Sequence, residues 1–189
     1  MVPVTLTLAH RPYAYLEMLA DFFAEVMFDV VTTRTLADEG ADITVSQLEC
    51  LKYLQRHGAC SAAELAEGLH MTPPAVTKLV DRLVRKGVVT RRENPDDRRS
   101  VEISLTEAGR ATVERIRQRR SQVFEMILDR MNPEDREMLE RALRAFLAAG
   151  LSDPKVVEAL CLRCGDESTP ECPLIEAYRG LTGSPLQCR

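Results

Sequence analysis

Four cysteines near the end of the chain have the type and spacing that metal chemistry requires. Cys161 and Cys164 form a Cys-x-x-Cys-Gly turn, and Cys172 and Cys188 follow, all within the last 29 residues. Four thiolates complete a closed zinc site or hold an iron–sulfur cluster. The turn favours a single tetrahedral metal, whereas the Cys-Pro pair at Cys172 and the uneven spacing favour a cluster. We predict an iron–sulfur cluster in preference to zinc, with metal-free redox thiols as the third interpretation.

Two roles are open for such a site. A metal can supply the folding free energy that a forty-residue segment lacks, or its assembly and loss can report iron, oxygen or redox state. A dithiol oxidoreductase and an electron-transfer module are the alternatives from other classes. No strand–helix unit of the thioredoxin type surrounds Cys161 and Cys164, so we expect no enzyme. Cys50 and Cys60 lie elsewhere in the chain and are interpreted as buried free thiols.

A second candidate for chemistry is a basic amphipathic helix over residues 71–87. Thr72 and Pro73 suit its first turn, and Gly87 suits its end. Its inner stripe recurs at three- and four-residue spacing and comprises Val76, Leu79, Val80 and Leu83. Off that stripe lie Thr77, Lys78, Arg82 and Arg85. Short hydroxyls and cations on the outer face of a helix suit a DNA major groove.

The segments beside this helix predict the rest of a winged helix-turn-helix. Ser61 and Glu64 have the spacing of a capping box that opens a short helix before it. Residues 88–92 and 100–105 alternate as the strands of a hairpin, and Arg98 and Arg99 lie in the connection between them. Arginines at the tip of such a wing suit a minor groove. Nearby Asp96 or Asp97 would orient them.

The predicted DNA-contacting residues combine the helix, its start and the wing. Lys78 and Arg82 can pair with guanine acceptors, and the methyl group of Thr77 can contact thymine. The full set is Ser61, Thr72, Pro73, Thr77, Lys78, Arg82, Arg98 and Arg99.

Charge is distributed in agreement with this prediction. The formal net charge is -4, but residues 72–120 hold 13 Lys+Arg against 7 Asp+Glu, a balance of +6 that leaves -10 on the remainder. A basic segment matters more for DNA binding than the total does. No apolar run is long enough for a membrane span and the start lacks the pattern of a secretory signal, so we expect a cytoplasmic protein.

Helices on either side of the predicted lobe carry more apolar surface than their own fold requires. Residues 10–37 have a wide aromatic and aliphatic band. Residues 106–131 form a long helix with apolar ends and a polar middle, and a last regular helix follows Asn132. This excess predicts packing against a second copy of the chain.

The chain resembles the MarR family of winged-helix regulators over residues 13–151. The resemblance is carried by Ser61-Ala-Ala-Glu-Leu-Ala, Val76-Thr-Lys-Leu-Val-Asp-Arg-Leu-Val-Arg-Lys-Gly87, Asp96-Asp-Arg-Arg99 and Leu105-Thr-Glu-Ala-Gly109. It implies a triangular homodimer that reads a palindromic site on double-stranded DNA, in most cases as a repressor released by a small effector. The paired prolines at Pro73 and Pro74 depart from the usual single proline.

The expected fold is therefore mainly α with a small β-hairpin, in which a winged helix-turn-helix DNA-binding lobe stands on a helical dimerisation base. We assign residues 1–40 and 106–151 to the dimerisation region and 41–105 to the lobe. Residues 152–189 form the cysteine-rich tail, which the resemblance does not cover.

Overall fold

Helices dominate the described chain, with a small antiparallel sheet among them. The computed structural model describes residues 13–38, 42–93, 101–164 and 172–186, apart from the side chains at 37, 38, 162 and 163. The helices are α1 (Ala14–Glu25), α2 (Arg34–Asp38), α3 (Val45–His57), α4 (Ala62–Gly68), α5 (Pro73–Arg85), α6 (Glu107–Leu128), α7 (Pro133–Gly150), α8 (Pro154–Cys164) and α9 (Pro173–Thr182). The strands are β1 (Val89–Glu93) and β2 (Val101–Leu105). The predicted fold class is confirmed.

The first long helix contains a segment of wider winding that the periodicity did not predict. A π-helical segment, Val26–Thr33, joins α1 to α2 without a break. The Thr32 hydroxyl donates to the carbonyl of Met27, five residues earlier, at 3.1 Å. Val31 is fully buried, and the neighbouring Thr35 hydroxyl donates to its carbonyl at 2.8 Å. The π segment therefore buries one residue, Val31, whereas α1 buries none.

The core of the winged lobe is built by one face of each surrounding helix and by the sheet. Its fully buried members include Leu51 of α3, Leu65 of α4, Leu83 of α5 and Ile103 of β2. Burying a side chain of this kind contributes about 1.5–3 kcal/mol. Val113 and Ile116 of α6 belong to the same cluster, so the first half of α6 is part of the lobe.

Strands β1 and β2 pair antiparallel, and the register places Val89 opposite Leu105 and Arg91 opposite Ile103. Cys60 adds a short third pairing, because its backbone N–H donates to the Ile103 carbonyl at 3.0 Å and its carbonyl accepts from Ile103 N–H at 2.8 Å. The wing is thereby attached to the chain that precedes α4.

A compact junction connects α5, the wing and α6. Gly87 has φ +71, and the N–H of Val88 donates to the carbonyl of Leu83 at 3.2 Å, which ends α5 in a Schellman motif. The Thr106 hydroxyl donates to the Gly87 carbonyl at 2.7 Å and accepts from the N–H of Gly109 at 3.0 Å. Gly109 lies directly against the Val88 carbonyl, where a Cβ would overlap the oxygen.

The predicted dimerisation helices leave apolar side chains on the surface. Asn132 caps α7 by accepting from the N–H of Asp135 at 2.7 Å, as its position predicts. Neither α1 nor α7 buries a residue. Large apolar side chains with 40% or more of their surface exposed in these two helices are Tyr15, Leu16, Leu19, Phe22, Phe23, Met138 and Phe146. In the part of the chain that the structure describes, none of the helices combines the length and the apolar composition of a membrane span.

The C-terminal segment is packed more closely on the rest of the chain than its sequence suggested. Helix α7 continues to Gly150 and α8 begins at Pro154. Helix α8 contacts α3 and α4 of the lobe, and α9 contacts α7 and α8. Leu151 and Val157 are buried, at 6% and 0% exposure. The segment therefore connects the lobe to the base helices.

We predict that Gly109→Ala lowers the free energy of unfolding by about 3 kcal/mol, because its Cβ would displace the backbone at Val88. Chemical denaturation measures this loss. Gly180→Ala in α9 is the matched control, since a Cβ there meets nothing within 4 Å. It should be neutral or stabilise by about 0.5–1 kcal/mol through helix propensity. Equal effects of the two substitutions would contradict the role of the junction.

Candidate nucleic-acid interface

Helix α5 has one buried face and one outer face, as its sequence predicts. Val76, Val80 and Leu83 are fully buried and Leu79 is 8% exposed. Thr77, Lys78 and Arg82 are exposed. Lys78 and Arg82 are four residues apart and therefore share one face of the helix. The Thr77 hydroxyl donates to the Pro73 carbonyl at 3.0 Å, so this side chain presents its methyl group and an acceptor oxygen.

The start of α5 differs from the prediction in one respect. Thr72 occupies the N-cap position and Pro73 the first helical position, but the Thr72 side chain makes no capping hydrogen bond. Pro74 at the second position has no N–H, which leaves the N–H of Ala75 at the third position for a cap, and the Thr72 side chain does not accept from it. Thr72 and Pro73 are both exposed at this end of the outer face.

Ser61 is held by the capping box that its spacing predicts. Its hydroxyl accepts from the N–H of Glu64 at 3.2 Å, and its own N–H donates to the Glu64 carboxylate at 2.7 Å. The Ser61 N–H and then the Ser61 hydroxyl lower the pKa of Glu64, because both favour the ionised carboxylate. Ser61 therefore positions α4, and its side chain is already engaged.

The wing is attached to α5 by an ion pair that no sequence periodicity predicts. Arg91 of β1 donates to the Asp81 carboxylate at 2.5 Å and to the Thr77 carbonyl at 3.5 Å. Both side chains are partly exposed, so the pair contributes orientation more than stability. Arg98 and Arg99, the predicted minor-groove residues, lie outside the described residues, as do Asp96 and Asp97.

The predicted metal ligands are distributed over α8 and the start of α9. Cys161 is 6% exposed, and its sulfur accepts from the Arg56 guanidinium of α3 at 3.5 Å. Cys164 and Cys172 are half-buried, the latter at the N-cap of α9. The expected Cys-x-x-Cys turn is instead the last turn of a helix. Within the described part of the chain, which lacks Cys188, no three metal-binding side chains are gathered together.

A cavity of about 410 Å³ lies between the π segment, α3, α6 and α8. Lys52, Arg117 and Arg120 line it together with Glu49, and Cys164 contributes from α8. Periodicity alone could not reveal this space, because it is enclosed by four elements that are distant in the chain.

Comparisons with known proteins agree with the geometry of the lobe. Residues 43–101 match the model of the MarR family. The chain is 35% identical over 104 residues, 55% of its length, to the HTH-type transcriptional repressor MdtR of Bacillus subtilis and covers 66% of it. It is 32% identical over 107 residues, 56% of its length, to the multiple antibiotic resistance protein MarR of Salmonella typhimurium and covers 74% of that protein.

The fold is similar as well. The crystal structure of the YusO protein from Bacillus subtilis matches with a TM-score of 0.59 at 30% identity, over 74% of this chain and 99% of that one. For three of the curated relatives, the alignment spans 66%, 63% and 50% of the relative's own length.

Cys50 and Cys60 are expected to resist thiol reagents in the folded protein. Burial, assisted by the neighbouring Cys60, raises the pKa of Cys50 to about 12. Burial, followed by Glu64 and Glu102, raises the pKa of Cys60 to about 12. Since the thiolate is the reactive form, neither should react with iodoacetamide at pH 8 until the chain unfolds. Mass spectrometry of alkylated peptides measures this, and the half-buried Cys172 is the internal control. Rapid native labelling of Cys50 would contradict the prediction.

Proposed function

The chain belongs to the MarR family, and we propose that it is a DNA-binding transcriptional regulator that binds a palindromic operator as a homodimer and acts as a repressor. One observation carries the proposal. The outer face of α5 presents Thr77, Lys78 and Arg82, while the opposite face is buried in the core of the lobe. The names of the relatives, which include a transcriptional repressor, support the assignment.

The proposed mode of reading follows from the side chains of α5. Lys78 and Arg82 donate to guanine O6 and N7 in the major groove, and the Thr77 methyl contacts thymine. Thr72 and Pro73, at the exposed start of the helix, approach the phosphate backbone, as does the N-terminus of α4 behind Ser61. The Arg91–Asp81 pair joins β1 of the wing to α5. Arg98 and Arg99 are the proposed contacts to the neighbouring minor groove.

Dimerisation is supported by the surface of α1 and α7. A monomer would leave Phe22 60% and Phe146 69% exposed to water. An exposed apolar surface of this kind marks an interface. Two lobes on one base would meet two half-sites of a palindrome, because a twofold axis relates both.

The cavity beside α6 is the proposed site of a small effector. Its volume of about 410 Å³ is within the range of ligand pockets. It lies between α3 and α6 of the lobe and α8 of the C-terminal segment, so an occupant would bias the packing of α8 on the lobe.

A second proposed function is metal sensing by Cys161, Cys164, Cys172 and Cys188, with an iron–sulfur cluster favoured over zinc. The donor set suits either metal, and three of the four thiols lie on the adjoining helices α8 and α9. The alternative of a dithiol oxidoreductase is disfavoured, since Cys161 is only 6% exposed and cannot meet a protein substrate. An electron-transfer module leaves the outer face of α5 unexplained.

Lys78→Ala and Arg82→Ala should each weaken operator binding by roughly tenfold or more, because each removes a donor to a base edge. The probe is a duplex selected by the wild-type protein from a random library, and the measurement is a titration by fluorescence anisotropy. Arg141→Ala on the exposed face of α7 removes the same charge away from α5 and is the control. Wild-type affinity for both α5 variants would overturn the assigned reading face.

Phe22→Asp should dissociate the homodimer, since it places a charge in the apolar surface of α1. Light scattering on a sizing column distinguishes the 21.2 kDa monomer from a species of twice that mass. Val156→Asp, at an exposed apolar position of α8, is the matched control and should leave the mass unchanged. A Phe22→Asp protein that keeps the dimer mass argues against this interface.

Anaerobically purified protein should be brown, with visible absorption bands, if it holds an iron–sulfur cluster. Colourless protein with stoichiometric zinc would select the alternative metal, and protein with neither would reject the site. Cys188→Ser should abolish or greatly reduce the bound metal, whereas Cys60→Ala, outside the proposed set, should not. Metal content measured by elemental analysis decides between these outcomes.

A further inference from the structure

Helix α8 attaches the end of the base helix α7 to the winged lobe. Three residues, Leu151 to Asp153, separate α7 from α8, and Leu151 is buried at 6% exposure. The Asp153 carbonyl accepts from the N–H groups of Val156 and Val157 at 3.1 and 3.2 Å, which leads the chain directly into α8. Helix α8 then contacts α3 and α4 of the lobe. The connection from α7 to the lobe is therefore short.

One side of α8 faces the lobe. Cys161 is 6% exposed, and its sulfur accepts from the Arg56 guanidinium of α3 at 3.5 Å. Val157 lies four residues earlier, on the same side of the helix, and is fully buried. Val156, one position away, is 47% exposed and belongs to another side. Val157 is therefore part of the face that holds α8 on the lobe.

Helix α9 joins α8 to α7 a second time, because it contacts both helices. The Tyr178 hydroxyl of α9 donates to the Glu158 carboxylate of α8 at 2.7 Å. Helices α8 and α9 together form a C-terminal brace, which contacts the lobe on one side and α7 of the base on the other.

The base and the lobe are also joined by two neighbouring helical connections in the described part of the chain. Helix α6 contributes Val113 and Ile116 to the lobe core, and α2, which continues the π segment, contributes Leu36. These two connections contact each other, and the cavity of about 410 Å³ lies between them and α8. Two adjacent attachments leave the lobe able to turn about them. A third attachment across the cavity opposes that turning.

We infer that the C-terminal brace makes the dimer selective for a single spacing between the two half-sites of its operator. This inference rests on the proposed homodimer and palindromic operator. One added base pair moves a half-site by about 3.4 Å along the DNA axis and rotates it by roughly 35°. A braced lobe cannot follow this rotation, so the dimer engages only one half-site. A lobe without the brace turns with its half-site and keeps its contacts.

The test compares an operator selected by the wild-type protein from a random library with the same duplex after insertion or removal of one base pair between the half-sites. Fluorescence anisotropy measures the affinity of full-length protein for each. The wild type should lose at least about tenfold on altered spacing, since a dimer that engages one half-site loses avidity. Val157→Asp places a charge in the docked face and should reduce that loss to about threefold or less.

Two further variants separate release of the brace from general damage. Val156→Asp adds the same charge on the exposed side and should keep the wild-type loss. Val157→Ala is a milder change at the docked face and should give an intermediate loss. Weakening of the whole lobe would lower every affinity and leave the ratio between spacings unchanged. A duplex with one half-site should bind all four proteins equally, because α5 is unaltered.

Hydrogen exchange of the α8 amides reports undocking in the same proteins. A smaller spacing loss in the Val157 variants, with faster exchange in α8, supports the inference. A wild-type loss in a variant whose α8 exchanges faster overturns it. Unchanged exchange in both Val157 variants also overturns it, as does a wild-type dimer that binds every spacing equally. A wild-type protein that is monomeric or selects no palindrome overturns the proposed mode of binding, and the inference with it.

Discussion

The one-sided burial of α5 is the constraint on which the rest of the molecule depends. Val76, Val80 and Leu83 are fully buried at three- and four-residue spacing, which fixes the rotation of the helix about its own axis. Lys78 and Arg82 consequently face outward in a fixed direction, although neither is held by a contact of its own in the core. Specific recognition requires such a rigid platform, because a rotation of α5 would turn every donor away from the same base edge.

The junction after α5 fixes how the wing and α6 are oriented relative to this helix. Gly87 ends the helix, Val88 returns an N–H to Leu83, and Thr106 bonds to both Gly87 and Gly109. These hydrogen bonds join the backbones of α5, the wing and α6. The absence of a side chain at Gly109 lets α6 approach the Val88 carbonyl, directly before β1. The sequence motif Leu-Thr-Glu-Ala-Gly of the family resemblance thus has a physical explanation in backbone packing.

The lobe and the base differ in how their apolar residues are covered. The lobe buries its own core, with contributions from α3 to α6 and from the sheet. Helices α1 and α7 leave aromatic side chains such as Phe22 and Phe146 exposed, so we expect their stability to depend on a second copy of the chain. The C-terminal helices α8 and α9 add a connection between these two parts, which the region resembling the family does not contain.

Local signals in the sequence were sufficient for α3 to α7, for two of the capping residues and for the buried face of α5, but not for the π segment or for α8 and α9. Ser61 and Asn132 cap helices where their spacing predicts, because a cap involves residues only three positions apart. Thr72 makes no such bond, although Ala75 stands at the position that Glu64 and Asp135 occupy in the capped helices. The predicted contacts of Arg98, Arg99 and Cys188 concern residues outside the described part of the chain.

Contacts between residues that are distant in the sequence were decided only by the tertiary structure. Arg91 meets Asp81 across ten residues and Arg56 meets Cys161 across 105, and no periodicity encodes either contact. The tail was expected to be a separate metal-binding unit, yet α8 lies on the lobe. The sequence by itself determined which residue types are available for chemistry, since that depends on composition and spacing. Only the folded chain determined which of them are free to act, because burial and competing partners depend on distant elements.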